Sequence, residues 1–163
     1  MLRILTLAGG LAGAVGLSQF PEFSQQYLQR LSGAVDELRT VATGFDLSAA
    51  AAGLTREEAL AQIEGSEFKD QLHDNLETSL KRYDRLNADY EMLSGKTALQ
   101  RLARPWRFAD ADLARRTWDD YKPAVPVTTD GLVFAGIGYV GGRLLLGALL
   151  WLLLRPFRRR GHA

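Results

Sequence analysis

Few residues in this chain have the type and spacing to do chemistry. The two histidines, His73 and His162, lie far apart, and no Cys is present. Disulfides and thiolate metal sites are therefore excluded. No HExxH motif, His pair or carboxylate cluster with ligand spacing occurs. Asp36-Glu37, Glu57-Glu58 and Asp119-Asp120 are adjacent pairs. Neighbouring residues on a helix do not face one another, so these pairs read as solvated charges rather than two-carboxylate sites. Ser94-Gly95-Lys96-Thr97 resembles the end of a phosphate-binding loop. Tyr90 stands where that motif needs a glycine, and a long helical pattern precedes it instead of a strand. It reads as a helix stop. The expectation is no catalytic residue, no metal, no cofactor and a non-enzymatic role.

One charge does demand an explanation. Arg143 lies inside the apolar run Gly131 to Leu154, GLVFAGIGYVGGRLLLGALLWLLL. At about 1.5 Å per residue that run crosses a hydrocarbon core of about 30 Å as one helix. A cation near its middle costs several kcal/mol unless it snorkels, meets water or is paired. Two readings stay open. Either a partner supplies an acid, backbone carbonyls or a lipid headgroup, or Arg143 snorkels along an easily deformed, glycine-rich helix.

The elements that must position Arg143 are apolar as well. Ile4 to Phe20 is uncharged and is a short first span. A retained span is favoured over a cleaved leader, the other reading of a basic start followed by an apolar run. Gly9, Gly13 and Gly16 recur on one face of it, and Gly131, Ala135, Gly138 and Gly142 do so in the second. Small residues let helix backbones approach closely in lipid. These seven are expected to form helix–helix contacts, between the two spans or with another copy.

Between the spans the pattern is that of paired helices. Leu28, Leu31, Val35 and Leu38 step by three and four from Ser24 to Phe45. Leu72, Leu76, Tyr83, Leu86, Tyr90 and Leu93 repeat that period from Glu67 to Ser94. The two seams predict an antiparallel, coiled-coil-like hairpin that turns over Ser48 to Ser66. Thr55 with Glu58 predicts a capping box for a short helix. The fold class expected is an all-α membrane protein with two transmembrane helices flanking an extramembrane helical hairpin. Its segments are a first span at 1–21, a helical domain at 22–126, a second span at 127–155 and a basic tail at 156–163. Helices are expected at about 24–45, 56–63, 67–94, 97–104 and 110–121. Trp106, Arg107 and Phe108, after Pro105, fit either a surface anchor or ordinary packing.

Charge sets the orientation. All 19 acidic residues lie between Glu22 and Asp130, where 14 basic groups leave a net of −5. The C-terminal tail carries Arg155, Arg158, Arg159 and Arg160 and no acid. Basic short tails stay cytoplasmic, so both termini are placed there and the central domain in the periplasm. The four tail arginines are expected to contact anionic headgroups, each worth roughly 1 kcal/mol. The net-negative middle argues against nucleic acid. Phe20, Phe23, Tyr27, Trp118 and Tyr121 are expected at the outer interface, and Trp151 and Phe157 at the inner one.

The segment Ser18 to Leu38, SQFPEFSQQYLQRLSGAVDEL, together with its flanking spans, resembles the proteobacterial family DUF2937, of unknown function. The resemblance implies a bacterial inner-membrane, multi-pass protein and carries no site residues with it. The partners expected are membrane lipids and a membrane protein complex or a second copy. The role expected is that of an accessory, assembly or scaffolding subunit acting by helix packing. The alternative is a membrane-anchored periplasmic binding or sensing module that uses the hairpin as its surface.

Overall fold

The computed structural model describes residues 2–123 and 125–158, with side chains for 3–123 and 125–153. Among these residues every regular element is helical. They are α1 (Leu2–Ser18), α2 (Phe20–Ala51), α3 (Arg56–Ala61), α4 (Glu67–Leu93), α5 (Ala98–Leu102), α6 (Ala111–Asp120) and α7 (Thr129–Arg158). A 3-10 turn at Pro105–Phe108 precedes α6. The chain divides into two compact units, residues 26–119 and the remainder.

In the terminal unit α1 packs along α7. Gly9 meets Gly142, Gly10 meets Tyr139, Gly13 meets Gly138, and Thr6 lies by Gly147. Partner numbers fall as α1 proceeds, so the two helices run antiparallel. Phe20 stacks on the fully buried Phe134 with ring centroids 5.6 Å apart. Both apolar stretches are long and apolar enough to cross a membrane. Only 11% of the most apolar window of each is buried. A helix from a soluble core would be mostly covered. Here Ile4, Leu11, Val15, Leu132, Leu144 and Leu145 face outward.

Proline explains the end of α1. Pro21 has no N–H to give the Leu17 carbonyl, so the ladder breaks for one residue at Gln19. The helix restarts at Phe20, where Pro21 falls in the first turn and costs nothing. That start is earlier than the expected residue 24. The end is also later than the expected 45. Gly44 and Asp46 are absorbed, and the good helix formers Ala49, Ala50 and Ala51 carry α2 onward. It stops in a Schellman arrangement at Gly53, φ +72°. Leu54 N–H reaches the Ala49 carbonyl at 2.9 Å and Gly53 N–H reaches that of Ala50 at 3.0 Å.

The core of the central unit joins three helices. Tyr27, Leu28, Leu31 and Val35 of α2 meet Leu86 and Leu93 of α4 and Leu113 of α6. Leu38, Tyr83, Tyr90 and Phe108 close around them. Two seam positions fall outside this core: Leu76 is half-buried and Leu72 is exposed. Leu80, one turn beyond Leu76, is buried instead. The apolar stripe of α4 therefore shifts near its start. Tyr27 is a further correction. It is no interfacial aromatic, since Leu28 and Leu31 carry it inward and its ring centroid lies 4.7 Å from that of Phe108.

Burial pushes the Tyr27 phenol up to about 12, aided by the Asp110 and Asp89 carboxylates and opposed by the Asp110 amide and Arg85. The fold thus favours the neutral phenol. Its contribution is complete below the ordinary value of 10.0 and is lost as pH rises through about 12. The hydroxyl makes no well-formed hydrogen bond among the described residues. Tyr27→Phe should remove this alkaline loss and stabilise the neutral-pH protein by about 1 kcal/mol. Urea unfolding followed by circular dichroism, at neutral pH and between pH 10 and 12, measures both effects. A variant as alkali-sensitive as the parent would contradict the assignment.

Candidate functional site

Candidate residues in the terminal unit gather on the α1–α7 seam. A Cβ added to Gly13 would collide with the Gly138 carbonyl oxygen, and one on Gly138 with that of Gly13. Gly9 and Gly142 lie against each other in the same way, with the Gly9 carbonyl oxygen in the space a Gly142 Cβ would need. At Gly13, Gly138 and Gly142 no other residue fits without the helices moving apart, because backbone itself occupies the space, while a Gly9 Cβ would first meet the Leu146 side chain. Gly10 was not among the expected contact residues, yet the Tyr139 ring lies against it. A Cβ at Gly147 would sit 3.6 Å from Thr6 Cγ2.

Three expected contact residues are placed differently. Gly16 has open space where its Cβ would be. The next residue, Leu17, takes the place against Gly138 instead. Gly131 faces Pro126 and Thr128 of its own lead-in rather than α1. Its N–H is capped by Thr128 Oγ1 at 3.1 Å. Ala135 is half-buried and lines an open apolar hollow with Ala14, Val15 and Gly16.

Arg143 is exposed along α7, with no acid beside it. Its Nη1 donates to the Tyr139 hydroxyl, 3.3 Å away and one turn back. Tyr139 in turn rests on Gly10, so the guanidinium is tethered through a ring wedged between the helices. Tyrosine is neutral and leaves the charge uncompensated. No ion pair to Arg143 occurs among the described residues. The side chains of Arg155 and Arg158, and the whole of Arg159 and Arg160, lie outside the described residues.

Near the other end of the same seam, Tyr121 donates its hydroxyl to Gln19 Oε1 at 2.8 Å and its ring lies edge-on to Phe23. An open cleft of about 480 Å³ lies there, lined in part by Ser18, Gln19, Glu22, Pro126 and Asp130. Ser18 Oγ donates to the Val15 carbonyl at 2.9 Å, so its hydroxyl is engaged by backbone. It has no base beside it among the described residues.

The central unit holds a charge cluster that its sequence pattern hides. Asp89 of α4 and Asp110, just before α6, are buried. Arg107 Nη1 donates to Asp89 at 2.9 Å and Arg85 Nη2 to Asp110 at 3.0 Å. Arg82 lies 3.6 Å from Asp110. Asp110 also accepts the Leu113 N–H at 3.0 Å, capping α6. These partners join α4 to the start of α6, and Arg107 and Phe108 are engaged in packing rather than as an anchor. Trp106 alone of that tripeptide is exposed. Spacing within α4 gave no sign of this cluster, because its partners lie in a different segment.

Two motifs do structural work. Thr55 and Glu58 form the expected capping box of α3. Ser94-Gly95-Lys96-Thr97 ends α4, with Gly95 at φ +67°, and begins α5, with Thr97 and Gln100 as a second capping box. His73 lies beside Asp74 at 3.5 Å. No group of three or more potential metal ligands occurs among the described residues.

The DUF2937 family, described as a protein of unknown function, matches residues 1–159. The chain belongs to this family. The match spans both units, so the glycine seam and the charge cluster lie within the DUF2937 domain. Comparison with curated proteins and with solved structures returns no match.

A zero-cysteine chain makes the seam directly testable. Thr6→Cys with Gly147→Cys should form a disulfide on mild oxidation, since the side chains face each other across the seam. Adding Gly13→Leu should reduce crosslinking about tenfold or more, as the helices are forced apart. Efficient crosslinking in the chain that also carries Gly13→Leu would show that the glycines do not set the approach.

Proposed function

We propose that this DUF2937 protein is a non-enzymatic accessory, assembly or scaffolding subunit of the bacterial inner membrane. It acts by helix packing with a larger membrane complex or with itself. The observation that carries this reading is the outward-facing apolar surface of α1 and α7 beside a tightly closed glycine seam. A pair already joined at its seam, and covered with leucine elsewhere, suits lipid and other membrane helices. Antiparallel packing supports a topology with both termini on one side. The basic tail favours the cytoplasm for that side and the periplasm for residues 26–119. Within that segment we propose an antiparallel α2–α4 hairpin. Arg39 supports it through Tyr83 and Asn87, at 3.4 and 3.5 Å, and Arg56 through Asp46 and Asp84, at 2.6 and 3.7 Å.

A second reading has its own observation. Leu47, Phe68 and Leu72 are exposed on α2 and α4. They favour a membrane-anchored periplasmic binding or sensing module, with this surface as its contact.

Mild-detergent purification from native membranes distinguishes these roles. The favoured reading predicts stoichiometric membrane partners or a homo-oligomer, with Leu47, Phe68 and Leu72 dispensable to Ser substitution. The second predicts loss of a soluble partner in the Phe68→Ser variant. A strictly monomeric, partnerless protein contradicts both. In the same cells Asp74→Cys should be labelled from outside the inner membrane by an impermeant maleimide. Labelling only after lysis would reverse the topology.

A further inference from the structure

Arg143 lies twelve residues from Gly131 and twelve from Arg155. At about 1.5 Å per residue it is roughly 18 Å from each end of the apolar run, at midplane if the helix spans a bilayer. Its side chain is directed back along α7 to Tyr139, away from the basic tail. Around it Val140, Leu144 and Leu145 are exposed. A charged group is thus held in place by a wedged tyrosine on a surface that is otherwise apolar.

The compensating charge cannot come from this chain. No Asp or Glu occurs in residues 1–21 or 131–163. Asp130 is thirteen residues away, roughly 20 Å along the helix. A second copy in the same orientation brings its own Arg143 to that depth and no acid. Lipid phosphates lie beyond the hydrocarbon core, about 15 Å from midplane. An arginine stem covers only part of that distance, and this one is tied to Tyr139.

We infer that Arg143 is the docking point for a transmembrane helix of a different protein that carries a carboxylate near the bilayer midplane. The inference rests on the membrane reading above and narrows its partner to a heteromeric one. A guanidinium can hold a carboxylate through two parallel hydrogen bonds. In hydrocarbon such a pair offsets part of the cost of both charges. Leu144 and Leu145 would flank the incoming helix.

The test uses the full chain in phosphatidylcholine vesicles, labelled at Asp74→Cys. The probe is a polyleucine transmembrane peptide with one central Glu, compared with the same peptide carrying Gln. Energy transfer should report association about tenfold tighter for the Glu peptide, and Arg143→Leu should abolish that preference. Equal association of the two peptides with an embedded chain would overturn the inference. So would an Arg143-dependent enrichment of phosphatidylglycerol without a Glu preference, which would assign the guanidinium to lipid phosphate. Carbonate extraction of the same vesicles separates the failures. A chain that stays embedded but ignores Glu leaves the membrane reading standing, and a chain that washes off removes both.

Discussion

Two backbones meet where Gly9 and Gly13 face Gly138 and Gly142, with carbonyl oxygens occupying the space that side chains would need. Much of the terminal unit depends on that contact. Apolar side chains gain nothing by leaving lipid for one another, so shape must hold such helices together. Close approach brings Tyr139 onto Gly10 and Leu146 against Gly9, and Tyr139 in turn carries Arg143. It also fixes the direction of the pair. The last turn of α1 and the first turn of α7 share an end, where Phe20 stacks on Phe134 and Tyr121 bonds Gln19.

The central unit is held by other means. Its apolar core is modest, with seven buried residues clustered between α2, α4 and α6. The ion pairs of Asp89 and Asp110 add direction to it, since a carboxylate that caps α6 and binds Arg85 fixes where that short helix begins. Such pairs contribute little net stability when their charges must be desolvated, but breaking one leaves the other charge exposed to that cost. Asp46 shows the surface version. Its hydrogen bonds from Arg56 hold its carboxyl below the usual range while both groups stay partly in water.

Periodic features were legible in the sequence. The seam residues Leu28, Leu31, Val35, Leu86 and Leu93 are buried, because a three–four repeat is a direct image of a helix face. The caps at Thr55 and Asp110 follow from local hydrogen bonding alone. Failures cluster where a distant segment decides. Gly16 fits the small-residue spacing, but Leu17 is the residue that meets Gly138. Leu72 fits the heptad, but α4 begins beyond the reach of the core. Tyr27 looks interfacial until Phe108, far along the chain, closes over it. Asp89 looks solvated until Arg107 arrives. Its burial could have been suspected only from pairing α4 with the segment after Pro105, which spacing does not encode. Family membership in DUF2937 agrees with the resemblance of Ser18 to Leu38 and spans essentially the whole chain.

The central claim is that α1 and α7 turn leucine-rich faces to lipid and glycine-rich faces to each other. Spin labels placed singly at Leu11, Val140 and Leu144 in reconstituted vesicles test it most directly. Collision with oxygen should be frequent and collision with a water-soluble nickel chelate rare at all three, while a label replacing the buried Phe134 should be restricted in both. Ready access of the nickel chelate to Leu11 and Leu144 would place these faces in water and contradict the account.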